Sequence, residues 1–237
     1  MLLEDLKVKI YADGADLDDM KKAHREGGVK GFTTNPTLMN KAGITDYEKF
    51  AKEVLAEIKD FPISFEVFSD DFEAMEREAR IIGSWATNVY VKIPITDTRK
   101  NSAVPLIKKL SDDGIPLNIT AIMTSAQVKD VALALNPKTP SVVSVFAGRV
   151  ADSGRDPIPL MTEAAQILKS NSKAELLWAS PRELLNLFHA ENCGCHIITM
   201  TNELLKKLPT IGKDLEEYSL DTVKMFYRDA QSSGFKI

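Results

Sequence analysis

Cysteine is nearly absent. The 237 residues hold two, both in Cys193-Gly194-Cys195, which excludes a disulfide framework and fits a reducing, cytoplasmic compartment. A basic excess is also missing: 30 Lys and Arg against 34 Asp and Glu leave a net charge of −4. A chain of that balance lacks the electrostatic footprint of a nucleic-acid or anionic-membrane binder, so neither partner is expected. The balance does not exclude a small anion, for which two or three local arginines suffice. Long apolar runs are wanting too. The longest is Val131–Leu135, five residues, far short of the ~20 a membrane-spanning helix needs. At the start of the chain, residues 1–7 (MLLEDLK) put acids where a secretory signal has a basic and then an apolar stretch, so no such signal is expected. Neither a G-x-G-x-x-G fingerprint nor a P-loop occurs. No Pro/Gly/Ser linker or low-complexity segment divides the chain, so 1–237 reads as one domain.

What is present is a repeating alternation. Short β-branched runs over 7–13, 29–34, 62–68, 88–94, 116–122, 142–146, 174–180 and 196–200 are each followed by a longer amphipathic, charge-rich stretch. The stretch over 70–82 is typical, with Phe72, Met75, Ala79 and Ile82 at helical spacing. Strands that alternate with helices imply a parallel sheet covered by helices. Eight such units in a chain near the ~250 residues usual for a (β/α)8 TIM barrel favour that closed barrel over an open doubly wound sheet. One helix, over about 214–232, is left beyond the eight units.

Alternation along each strand assigns its side chains to the helix layer or to the barrel interior. With Val89, Val91 and Ile93 outward, Asn88, Tyr90 and Lys92 point inward. The same parity predicts inward Tyr11 and Asp13, Ser64 and Glu66, Asn118 and Thr120, Ser144 and Phe146, and Trp178 and Ser180. The polar members lie towards the C-terminal ends of their strands, where barrel active sites are built. A lysine aimed into a barrel is costly unless used, because burial disfavours its charge. A neutral lysine beside carboxylates suggests imine chemistry on a carbonyl, with Asp13 and Glu66 as the acid and base groups and no metal or cofactor required.

Gly31-Phe32-Thr33-Thr34-Asn35-Pro36-Thr37-Leu38 resembles the N-terminal signature of the transaldolase family, and Val91-Lys92-Ile93-Pro94 resembles its Schiff-base lysine motif. Leu117-Asn118-Ile119-Thr120, Ser144-Val145-Phe146-Ala147-Gly148-Arg149 and Ala179-Ser180-Pro181-Arg182 follow in the family's order and spacing, so the resemblance runs from near Val8 to near Tyr227. It is to the small subfamily, which includes small transaldolases and fructose-6-phosphate aldolases. The resemblance implies that Lys92 is the nucleophile, that Asp13 takes the hydroxyl proton as the C–C bond breaks, and that Glu66 works with Thr120 and a water in dehydration. It implies that Asn35, Asn118 and Ser144 hold a dihydroxyacetone moiety, with Thr33 beside them. Arg149 and Arg182 would bind phosphate, Ser180 lying between the site and the second arginine. Arginine suits phosphate because its planar fork makes bidentate, charge-assisted bonds.

Two positions bear on reaction type. Phe146 and Glu66 are similar to the transaldolase choices, where the aldolases of the subfamily carry Tyr and Gln. A phenol can relay protons to release a free ketone and a phenyl cannot. The resemblance therefore implies transfer of dihydroxyacetone between sugar phosphates. The alternatives are an aldolase that releases dihydroxyacetone and a non-catalytic sugar-phosphate-binding barrel. Departures from the family pattern at Val145, Ala147, Pro181 and the loops 96–101 and 151–157 surround these residues without removing one, and Arg99 and Arg155 read as solvent-exposed charges. Cys193, Cys195 and His196 lack the four ligands and the spacing of a structural zinc site, so the thiols read as small buried groups at a helix-to-strand junction. Gly27-Gly28 reads as a helix C-cap. The apolar stripe of the last helix is expected to pack across its own barrel, or, as small family members are homo-oligomers (pentamers or decamers), on a neighbouring copy.

Overall fold

In a computed structural model, residues 3–234 are described. In chain order they form β1 (Lys9–Asp13), α1 (Leu17–Glu26), β2 (Phe32–Thr33), α2 (Pro36–Lys41), α3 (Tyr47–Glu57), β3 (Ile63–Glu66), α4 (Phe72–Gly83), β4 (Val89–Pro94) and α5 (Val104–Asp112). Then come β5 (Leu117–Ile122), α6 (Ser125–Ala134), β6 (Ser141–Val145), α7 (Ala147–Asp152), α8 (Ile158–Leu168), β7 (Ala174–Trp178), α9 (Leu185–Asn192), β8 (Ile197–Thr201), α10 (Asn202–Leu205) and α11 (Leu215–Ser233). The eight strands are parallel and close in sequence order, β8 pairing with β1. The fold is the (β/α)8 barrel that the alternation predicts, with a further C-terminal helix.

The helices start where a short acceptor side chain meets the first free backbone N–H groups. Asp16, Asp46, Asp71 and Asp214 each accept at the N-terminus of α1, α3, α4 and α11. Thr124 and Gln127 form a reciprocal capping box at α6. Each cap contributes roughly 1 kcal/mol, and the aspartates also face the positive helix end. Gly27, in the left-handed region at φ 76°, ends α1.

Two apolar clusters follow from the strand parity. The larger lies between sheet and helices, where Ile63, Phe65, Val91, Ile93, Leu117, Ile119, Val143 and Val145 meet Met75, Ile107, Val131 and Met161. The smaller fills the barrel itself: Tyr11, Val142, Leu177, Ala179 and Ile197, with Tyr90 and Phe146 against them. The Tyr11 ring lies so close to Gly31 that a Cβ there would sit 2.5 Å from it, so the seat of this ring inside the barrel requires a glycine.

Some assignments differ from the sequence reading. Trp178 does not enter the barrel. It is fully buried in the helix-side cluster with its ring 6.3 Å from that of His189. The register explains this: inward Ser144 pairs with Leu177, and Val145 with Trp178. An almost uniformly apolar β7 gave no clear alternation to read. Ser180 still reaches the cavity, because its positive φ of 61° breaks the alternation after Trp178. Asn88 precedes β4, and its amide donates to the carbonyls of Ile58 and Phe61 rather than lining the interior. The short helices α2 and α7 interrupt what the sequence suggests are loops. No described residue of α11 is buried, so this helix does not pack across its own barrel.

Candidate active site

A cavity of about 500 Å³ opens at the C-terminal ends of the strands, lined by Asp13, Thr33, Asn35, Glu66, Lys92, Asn118, Thr120, Ser144, Phe146, Arg149, Ser180 and Arg182. These are all twelve residues the sequence singles out. A depression of about 630 Å³ at the opposite end is larger, but it is lined by Leu3, Leu6, Val8, Pro209 and Ile211 with Glu4, Lys7, Lys9 and Lys30, and none of these charged residues is buried.

Register brings the polar groups side by side. Glu66 pairs with Lys92 and Lys92 with Asn118, while Asp13 pairs with Thr33. Lys92 is 7% exposed, its Nζ 3.0 Å from Glu66 Oε2 and donating at 3.0 Å to the Thr34 carbonyl. Ser144 Oγ donates to Asn118 Oδ1 at 2.7 Å, and Asn118 Nδ2 donates to Ser64 Oγ at 2.9 Å. That chain fixes the orientation of the Asn118 amide. Asn35 Oδ1 accepts from the Leu38 N–H as the N-cap of α2, so what Asn35 offers the cavity is its Nδ2 group. Thr120 lies near the end of β5, where Ala121 at φ 62° and a register shift bend the strand. Its buried Oγ1 has no hydrogen-bond partner among the described residues.

Asp13 Oδ1 accepts from Thr33 Oγ1 at 2.7 Å. Burial raises the pKa of its carboxyl, against the opposing pull of Lys92 and the Thr33 hydrogen bond. A cavity-facing carboxyl whose proton affinity is pushed up by its surroundings is suited to take up a proton during a reaction.

The two arginines come from adjacent turns that are locked together. Arg149 lies one helical turn after Phe146 at the start of α7, its guanidinium carbon 5.8 Å from the ring centroid. Arg182 follows β7 and binds both oxygens of Asp152, Nε to Oδ1 at 3.0 Å and Nη2 to Oδ2. This carboxylate takes one edge of the fork and leaves Nη1 available. The Gly148 N–H donates to the Ala179 carbonyl at 3.3 Å, and a Cβ on Gly148 would stand 1.6 Å from the Ser180 carbonyl oxygen. Only glycine permits that approach, and the left-handed Ser180 completes it.

Two polar lining residues, besides the apolar Ala121 and Leu177, escaped the sequence reading. Thr199 of β8 pairs in register with inward Tyr11 and sets its hydroxyl 2.5 Å from that of Thr33. Strand parity, applied to β8, would have found it. Lys41, at the exposed end of α2, stands at the cavity mouth; no pattern marked a helix there. Arg99 and Arg155 are exposed and outside the cavity, held near Asp97 and Ser153. The buried Cys193 and Cys195 are free thiols, both made less acidic chiefly by burial, and His196 Nδ1 accepts from the Leu176 N–H. Among the described residues no group of three or more His, Cys, Asp or Glu is placed to hold a metal ion, and no helix is long and apolar enough to cross a membrane.

Residues 10–237 match the family described as Transaldolase/Fructose-6-phosphate aldolase. The chain belongs to that family. It is 34% identical over 218 residues to a probable transaldolase 2 of Listeria monocytogenes, covering 90% of this chain and 95% of the relative. It is 33% identical over 202 residues to a probable transaldolase of Dehalococcoides mccartyi, covering 85% and 90%. A probable transaldolase of Thermoanaerobacter sp. matches at 32% over 231 residues, its whole length and 97% of this chain. Membership places the chain among enzymes of aldehyde- and ketone-group chemistry.

The raised Asp13 pKa has a consequence for stability. The folded state binds the Asp13 proton more tightly than the unfolded state, so ionising this carboxyl at neutral pH costs stability. The cost vanishes below pH ~4, where both states are protonated. Asp13→Asn is expected to raise the melting temperature at pH 7, read by a thermal scan. The gain should shrink towards zero as the scan is repeated down to pH 4. A gain that grows on acidification would contradict the sign.

Proposed function

We propose that the chain is a class I transaldolase that moves a dihydroxyacetone unit from a ketose phosphate, such as sedoheptulose 7-phosphate or fructose 6-phosphate, to an aldose phosphate. The observation that carries this reading is the buried Lys92 amine 3.0 Å from Glu66 in a cavity that also holds Asp13. A binding protein has no need of a lysine inside a barrel. Glu66 can take the proton that frees the amine for attack on the C2 carbonyl. Glu66 then returns a proton to the departing hydroxyl with the unpartnered Thr120 hydroxyl beside it, so that the carbinolamine loses water and becomes an iminium.

Asp13 next removes the C4 hydroxyl proton. The C3–C4 bond breaks, its electron pair passes into the iminium, and an aldose phosphate leaves with dihydroxyacetone held as an enamine on Lys92. An acceptor aldose phosphate enters, the steps reverse, and hydrolysis frees the new ketose. The second N–H of Asn118 and Asn35 Nδ2 supply donors, and Ser144 Oγ an acceptor, for the hydroxyls of the three-carbon unit, and Arg149 with the open edge of Arg182 supplies a phosphate grip at the mouth. Phe146 brings an apolar ring where a phenol would bring a proton relay, which supports transfer over release.

The same reading takes the working unit to be one barrel domain in a cytoplasmic homo-oligomer. The argument for assembly is α11: Leu220, Val223, Phe226 and Tyr227 form a stripe at helical spacing, and Phe226 and Tyr227 are 63% and 66% exposed. A second copy of this chain is the occupant that covers it, as the assembling small members of the family imply.

Borohydride reduction with fructose 6-phosphate should leave a reduced adduct on the peptide that carries Lys92, and Lys92→Met should abolish it. Absence of an adduct across a panel of ketose phosphates would sink the Schiff-base reading. Phe146→Tyr is expected to increase free dihydroxyacetone severalfold relative to transfer, measured by enzymatic assay of both products; an unchanged ratio counts against the proton-relay argument. Sedimentation equilibrium should return a multiple of the 26.2 kDa chain mass, and Phe226→Glu should lower it. A monomer in both cases refutes assembly through α11.

A further inference from the structure

The hydrogen bonds behind Asp13 have a direction. A carboxylate only accepts, so the 2.7 Å contact between Thr33 Oγ1 and Asp13 Oδ1 uses the one proton of the Thr33 hydroxyl. The 2.5 Å contact between Thr33 and Thr199 must then run the other way, Thr199 donating to Thr33. Both threonines are buried, 3% and 6% exposed, on the strands that flank β1 to either side.

We propose that Thr199 is a positioning residue for the base: through Thr33 it holds two hydroxyl protons in file towards Asp13, so that Oδ1 is satisfied from the barrel wall and Oδ2 is the oxygen that meets substrate. A proton arriving at Oδ2 leaves the file intact, whereas one arriving at Oδ1 would turn the oxygen at its end into a hydroxyl, a poorer acceptor. The file thus selects the oxygen that accepts the proton and supports the carboxylate in a cavity that disfavours it, each hydroxyl polarising the next. The inference deepens the transaldolase reading and rests on it only for what Asp13 does to a substrate.

The charged surroundings are few. Lys92 on β4 acts on Asp13 through space and favours its ionised form. Glu66 on β3 contacts Lys92. Lys41, Arg149 and Arg182 stand at the cavity mouth. The flanking strands β2 and β8 contain no ionisable side chain, and Glu203 on α10, beside β1, is exposed. With those groups unchanged, a shift caused by removing a hydroxyl reports the file itself.

The test titrates Asp13 directly, by 13C NMR of protein labelled at the aspartate carboxyl carbon, with the Asp13 signal assigned by its loss in Asp13→Asn. Because a hydrogen bond to the ionised form lowers an acid's pKa, losing the file must raise the midpoint. Thr33→Val is expected to raise it by roughly one pH unit and Thr199→Val, one bond further away, by about half a unit. Thr199→Ser, which keeps the hydroxyl, should restore the original midpoint; Thr199→Ala serves where the valine variant does not fold. A shift in Thr33→Val with none in either Thr199 variant overturns the proposal, as does a Thr199→Ser midpoint that stays with that of Thr199→Val. Since the readout needs no turnover, failure to trap an adduct on Lys92 tells against the transaldolase reading and leaves this result standing on its own.

Discussion

A closed barrel gives its interior groups no route to bulk water except through one end, so each polar side chain inside must find a partner or face that opening. The contact between Lys92 and Glu66 is the point where this constraint is strongest. A lysine on a central strand can lie 7% exposed only because the neighbouring strand sets a carboxylate 3.0 Å away and the Thr34 carbonyl accepts a second hydrogen bond. The register that pairs Glu66 with Lys92 also pairs Lys92 with Asn118, and Asn118 in turn with Val142 of the apolar plug. Polar groups at one end and packed side chains at the other are thus two consequences of a single alignment of strands.

Around that pair the site divides into two regions with different physics. Deep in the cavity, short hydrogen-bonded chains (Thr199 to Thr33 to Asp13, and Ser144 to Asn118 to Ser64) orient the carboxyl and amide groups that line it. At the mouth, exposed arginines rely on charge and on the rigidity of their turns, since solvent weakens each ion pair. The stapling of Gly148 against the Ser180 carbonyl serves that rigidity: it joins the turns after β6 and β7 and so fixes the spacing of Arg149 and Arg182.

Much of this was legible in the residues themselves. Eight strand–helix units announced the barrel, and alternation placed Lys92, Asp13, Glu66, Asn118 and Ser144 on the inward face because outward valines and isoleucines flank them. The reading failed where that contrast fades. In β7, leucines stand on both faces and tryptophan fits either, so parity alone could not orient Trp178. At Ser180 and Ala121 a left-handed backbone changes which residues line the cavity, and neither is a glycine that would have marked the bend. Thr199 lies between outward Ile198 and Met200, so parity sets it inward, but that it stands behind Asp13 shows only when its neighbours across the sheet are known.

The sequence by itself determined the class of fold, the family and most of the inward polar residues, Asn88 and Thr199 excepted, because strand periodicity and motif spacing are local properties of the chain. Tertiary structure decided how those residues meet: which carboxylate touches the lysine, which hydroxyl stands behind Asp13, which edge of Arg182 stays open, and that α11 leaves its apolar stripe off its own barrel. These depend on register between strands far apart in the chain and on where two turns touch, and no local pattern encodes the distance between them.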